Sequence, residues 1–138
     1  MIASIEDLLV RDEGEVLHVY LDSRGIQSLG VGRRVDEKGG ISKAESRYLL
    51  SNDLVQCRKD CLLFSWFYPL NPARQGVILS MRFIFGKEGL DGWPHFLNQM
   101  AQRDWLGASQ NLLSSSWHKE APARVERLAG ILQTGAWA

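Results

Sequence analysis

Glu13, Asp22 and Ser28 are the residue types that acid–base chemistry on a glycosidic bond requires. They stand in Arg11-Asp12-Glu13-Gly14, Tyr20-Leu21-Asp22-Ser23-Arg24-Gly25 and Ser28-Leu29-Gly30-Val31-Gly32. One carboxyl can protonate a leaving oxygen, while the second carboxylate and the hydroxyl orient a water. The spacing alone is weak evidence, because a chain with 16 acidic residues contains many such pairs. Each residue also has a plain structural reading. A Glu at a helix end is normally solvated, an Asp before Ser-x-Gly normally starts a turn, and a Ser in an alternating strand normally faces solvent. The three can act together only if the chain brings them to one place where a helix meets a hairpin.

The flanking residues predict such a place. Residues 4–12 read as a short helix, capped by Ser4 with Asp7 three positions on and stopped by Gly14. The β signal runs from 16 to about 35. Leu17, Val19 and Leu21 alternate with less apolar neighbours, Ser23-Arg24-Gly25 supplies a turn, and residues 26–31 return as a second strand. Residues 36–40 form a polar, glycine-rich connection. Ser42-Lys43-Ala44-Glu45 then starts a long helix, running past Cys61 and ending before Pro69, with the length of a strut between two lobes. Asn71-Pro72 opens a helix, apolar nearly all round, that Gly86 terminates, as expected of the buried centre of a bundle. Further helices are predicted at 96–102, 105–113 and 122–132, the last closed by Gly135. The expected fold is α+β, mostly α. It is one domain with a hairpin lobe (about 14–40), a linking helix (about 42–66) and a helical lobe (about 70–138) that includes the N-terminal helix.

Composition narrows the function classes. A chain of 138 residues that is 45% apolar and 23% charged is an ordinary globular domain, large enough to need no disulfide or metal for stability. Its formal net charge of zero gives no reason to expect nucleic-acid binding. The N-terminus turns acidic at once, with no basic region leading into an apolar core. No secretory signal is read, and the protein is expected to accumulate in the cytoplasm. The longest apolar run, residues 61–68, is too short to span a bilayer, so no stable membrane insertion is expected. Cys57 and Cys61 read as buried thiols of one helical stripe. His18, His95 and His118 show no ligand spacing with them, so no metal site is expected.

The chain resembles the bacteriophage-type lysozymes, which cut peptidoglycan glycans. The match runs through the N-terminal helix, Arg-x-Glu-Gly, Tyr-x-Asp, a turn glycine and a hydroxyl residue before Gly-x-Gly. It continues through the capped long helix, Asn71-Pro72, Trp105, Trp117, Pro122, Arg124, Arg127 and the closing Thr134-Gly135-Ala136-Trp137. The resemblance implies a lysozyme-like fold and hydrolysis of the β-1,4 bond between N-acetylmuramic acid and N-acetylglucosamine, with no cofactor. Glu13 would be the general acid, Asp22 the water-orienting carboxylate and Ser28 its hydroxyl partner. Inversion would require room for a water, with the carboxyls about 6.5–9.5 Å apart. Arg124 would position the acid, Phe83 and Asn111 would line the substrate cleft, and Arg33 would form a structural ion pair with Asp53. The partner implied is the peptidoglycan glycan strand, reached by a monomer that a holin lets out of the host cytoplasm to the periplasm or cell wall.

Three departures bear on activity. Ser28 stands where the family usually has Thr, keeping the hydroxyl without the methyl that restricts its rotamer. Only residues 34–40 separate hairpin from strut, where longer members have a third strand and a loop, so a truncated cleft wall is expected. Ser116 and Ile84 occupy positions that are often polar or basic. These departures keep a second reading open, a non-catalytic wall-binding or virion structural module. A transglycosylase using Glu13, or a helical DNA-binding protein, is a further alternative.

Overall fold

The computed structural model describes residues 1–138, which divide into two compact units, Met1–Leu49 and Leu50–Ala138. The chain is mostly helical with one small antiparallel sheet, the α+β class expected from its patterning.

In the first unit, α1 (Ile5–Glu13) begins at Ser4, whose hydroxyl accepts the Asp7 N–H at 3.0 Å. Asp7 reaches back past the cap residue to accept the Ala3 N–H at 3.1 Å, a variant of the reciprocal cap in which the return bond falls one residue earlier. Gly14, at φ 75°, ends the helix directly after Glu13. The helix belongs to the first unit and buries none of its residues.

Strands β1 (Val16–Leu21) and β2 (Gln27–Gly30) pair antiparallel around the predicted turn, with Tyr20 opposite Ser28 and Leu21 opposite Gln27. A third strand, β3 (Arg33–Arg34), then pairs with β2, setting Arg34 opposite Ser28 and Arg33 opposite Leu29. The sequence reading places no third strand here. Gly30 (φ 65°) and Gly32 (φ 64°) adopt the left-handed conformation that reverses the chain within two residues and makes the third strand possible.

Helix α2 (Lys43–Cys61) opens on the predicted reciprocal cap. The Glu45 N–H reaches the Ser42 hydroxyl at 3.1 Å, and the Ser42 N–H reaches the Glu45 carboxylate at 2.8 Å. The helix stops at Cys61, short of the expected 66. Tight turns follow, in which Leu63 and Phe64 donate to the carbonyls three residues back, of Asp60 and Cys61. These turns let Phe64 stack on Trp66 (centroids 4.9 Å apart) and bury Phe67.

The core lies in the second unit around α3 (Pro72–Asp91), whose Val77, Ile78, Leu79 and Met81 are buried. Asn71 caps it by accepting the Arg74 N–H at 2.9 Å. The helix is not apolar-buried all round, since Phe83 and Ile84 are exposed. At Gly86 (φ 76°) the helical conformation breaks, as predicted, but a further helical turn follows to Asp91. Helices α4 (Pro94–Ala101), α5 (Trp105–Leu113), α6 (Ser116–Glu120) and α7 (Pro122–Thr134) complete the unit. Only α6 is without a counterpart in the sequence reading. Arg74 ties α3 to the end of α7, donating to the carbonyls of Leu132 (2.9 Å) and Gln133 (3.2 Å) while its guanidinium lies 4.1 Å over the Trp105 ring. Cys57 and Cys61 are free and buried, and burial pushes the Cys61 thiol up to about 12.

Candidate active site

Glu13, Asp22 and Ser28 meet in one cavity of about 380 Å³ in the first unit, walled also by Leu9, Tyr20, Arg24, Val31 and Gly32. Each arrives by a different local device. Glu13 is the last residue of α1, placed by the stop at Gly14. Its carboxylate makes no hydrogen bond to the protein and lies against Gly32, where a Cβ would stand 3.3 Å from Oε2. A bare glycine backbone is therefore what the acid rests on.

Asp22 sits at the hairpin corner and is both a turn former and a free acid. Its Oδ1 accepts the Arg24 N–H at 2.8 Å and the Ile26 N–H at 2.9 Å, while Oδ2 has no protein partner. The Ile26 N–H is the chief reason its carboxyl is held below the usual carboxylate range. The Arg24 N–H and the charges of Arg24 and Arg34 add to this, against an opposing contribution from burial. Ser28 is only 3% exposed, unlike the solvent-facing Ser normal in such a strand. Its hydroxyl donates to the Ile26 carbonyl at 3.3 Å, long for an O–H···O bond. One carboxyl free of protein hydrogen bonds, a second held as an anion with an open oxygen, and a buried hydroxyl beside it form a constellation suited to acid–base hydrolysis.

The remaining expected residues are distributed differently. Arg33 does not pair with Asp53. It binds Glu45, with Nη2–Oε2 at 2.9 Å and Nη1–Oε1 at 3.0 Å, and donates to the Gly40 carbonyl at 3.2 Å. The short loop between β3 and α2 delivers the cap residue Glu45 to the strand first, and Glu45 accepts from both. Asp53 belongs to the second unit, where it lines a cavity of about 270 Å³ with Gln56, Cys57, Arg82 and Phe83. Phe83 is 48% exposed, Asn111 donates to the Gln99 side chain at 3.1 Å, and Arg124 is exposed without an ion pair. All three lie in the second unit. No three His, Cys, Asp or Glu side chains gather as a metal ion would require, and no helix is long and apolar enough to cross a membrane.

Sequence reasoning passed over Tyr20, Arg24 and Arg34. Tyr20 shares strand parity with Asp22, a signal that points both toward one face. Arg34 enters only through the β2–β3 register, which no local pattern announces. The half-buried pair Arg82–Asp60 (2.6 Å) was also unannounced, its partners being 22 residues apart.

A mostly helical α+β chain with a small antiparallel sheet is consistent with a lysozyme-like fold. The phage lysozyme family model matches residues 10–133, and the chain belongs to that family. Among relatives, "Probable T4-type lysozyme 1" of Dictyostelium discoideum is 26% identical over 164 aligned positions, covering 98% of this chain and 96% of the relative. The endolysin of Salmonella phage P22 is 32% identical over 76% of this chain and 75% of its own length. The pre-baseplate central spike protein Gp5 of Enterobacteria phage T4 is 26% identical over 96% of this chain, which corresponds to 28% of that protein. The family supports a muramidase-like, glycoside hydrolase role directed at peptidoglycan.

Proposed function

We propose that this protein hydrolyses the β-1,4 bond between N-acetylmuramic acid and N-acetylglucosamine, as a phage or prophage endolysin. The observation that carries the reading is the shared cavity of Glu13, Asp22 and Ser28. Glu13 gives its proton to the departing glycosidic oxygen. The open Oδ2 of Asp22, with the Ser28 hydroxyl, aligns a water on the opposite face of the sugar, so the anomeric centre inverts. By the family resemblance, Arg124 is proposed to position the acid, and Phe83 and Asn111 to line the substrate cleft. A holin lesion gives the monomer passage from the host cytoplasm to the wall, a role in keeping with the similarity to the P22 endolysin.

Purified protein added to outer-membrane-permeabilised Gram-negative cells should clear their turbidity. Equally folded Glu13→Gln should lose on the order of a hundredfold or more of that rate. The similarity to a T4 spike protein favours the second reading, a wall-binding or virion structural module. That reading takes over if neither protein clears the cells while both sediment with purified peptidoglycan.

A further inference from the structure

Two walls of the cavity, Tyr20 and Ser28, are ladder partners, and the ladder continues from Ser28 to Arg34. Residues directly opposed on antiparallel strands share a face, so Tyr20, Ser28 and Arg34 form one row across the three strands. Arg34 is not a loose surface arm. Its guanidinium grips Asp36 through both oxygens, Nε–Oδ1 at 2.6 Å and Nη2–Oδ2 at 2.8 Å. Asp36 is fixed in turn, accepting the Lys38 N–H on its carboxylate at 3.2 Å and the Gly39 N–H on its carbonyl at 3.0 Å. The Gly40 N–H returns to the Arg34 carbonyl at 2.9 Å, and a Cβ on Gly39 would collide with that same carbonyl. The whole 36–40 loop is folded around one arginine.

We propose that Arg34 is a positioning residue of this site. Arg34 stands opposite Ser28 on the ladder, just outside the cavity lining, and its guanidinium, forked onto Asp36, supplies a fixed positive charge behind the Asp22–Ser28 side of the cavity, where the attacking water is oriented. The inference rests on the hydrolase reading and adds a residue to its machinery. A planar fork held by a carboxylate keeps its orientation, which a single flexible cation does not. The charged and titratable groups around Asp22 are Arg24 on its own turn, Arg34 on β3, Tyr20 on β1 and Glu13 at the end of α1. Asp36 offsets part of the Arg34 charge. Arg24 is exposed and unpaired, so the ordered cation in this set is Arg34. Arg34 and Asp22 feel one another's charge, each favouring the ionised form of the other. The backbone N–H groups on Asp22 Oδ1 remain whatever stands at 34, so loss of the arginine weakens the anion without abolishing it.

The test uses the full chain, comparing Arg34→Gln, Arg34→Lys and the parent by kcat between pH 3.5 and 7 on purified peptidoglycan. Asp22 is titrated by carboxyl NMR in a Glu13→Gln background. Arg34→Gln should raise the Asp22 midpoint and move the acidic limb of kcat to higher pH, with a loss of less than about twofold near pH 4 that grows toward pH 3.5 and vanishes by pH 7. Arg34→Lys, which keeps the charge but not the fork, should restore only part of the acidic limb. An unmoved Asp22 midpoint, or a loss of kcat equal at every pH, would overturn the proposal and leave Arg34 a loop-holding residue. A parent that does not cleave peptidoglycan overturns the hydrolase reading instead, and with it the catalytic purpose of Arg34.

Discussion

Gly32 shows how a single missing atom can make room for a carboxyl, here that of the candidate acid Glu13. At φ 64° an L side chain is strained by about 1–2 kcal/mol, and here an added Cβ would also stand 3.3 Å from Glu13 Oε2. Gly30 has nearly the same φ, 65°, but open space around it. The two glycines therefore separate strain from displacement. Gly32→Ala and Gly30→Ala should lose similar stability, about 1–2 kcal/mol each by denaturant unfolding. Only Gly32→Ala should lose kcat, on the order of tenfold or more, because small displacements of a reacting group are costly. Equal kcat losses in both would mean that the carboxyl position against residue 32 is immaterial. The acid, the second acid and the hydroxyl were legible in the sequence because local devices place all three: a helix stop, a turn corner and a strand. Arg33 was misassigned because its partner choice depends on where α2 begins relative to β3, a distance that the residue types do not encode.

At the scale of elements, Glu45 joins two structures that local patterning treats separately. It closes the α2 cap and holds Arg33 on β3. The Arg33 fork, then the Ser42 N–H and hydroxyl, bring its carboxyl down to about 2 from an ordinary 4.5. A depressed folded value stabilises the folded state fully above the unfolded value and loses that contribution as pH falls through the folded one. The relevant window is therefore pH 4.5 down to about 2. Glu45→Gln should be less stable than the parent at neutral pH, and the gap should close across that window when melting temperature is followed against pH. With the two side chains 47% and 43% exposed, added salt should narrow the gap as well. A gap constant from pH 6 to 2 would show that Glu45 acts only as a cap. Caps and stops at Ser4, Gly14, Ser42, Asn71, Gly86 and Gly135 were readable because each depends on one or two adjacent residue types. The strand β3, the helix α6 and the early end of α2 were not, since each is decided by pairing or by aromatic burial at a distance.

Across the whole molecule, apolar burial is unevenly shared. Every buried apolar side chain lies in the second unit, beginning at Cys57, whereas the sole buried residue of the first unit is Ser28. The unit that carries the candidate acids is therefore held by caps, ladder hydrogen bonds and the Arg33–Glu45 and Arg34–Asp36 pairs, each worth little beside core burial. Regions with few buried apolar contacts open at lower free energy than the core. Native-state hydrogen exchange should accordingly show two classes. Amides of α1 and of the β1–β2 ladder should exchange through a low-energy opening, while those of α3 and α7 should exchange only on global unfolding. Ile78→Ala, at a fully buried site, should cost about 2–5 kcal/mol and lower the protection of the slow class alone. Protection that is uniform along the chain, or that falls equally in both classes with Ile78→Ala, would mean that the two units unfold as one. If the classes separate, the acid-bearing unit can open and reclose without cost to the helical core. Its substitutions can then be read as effects on the site rather than on the fold.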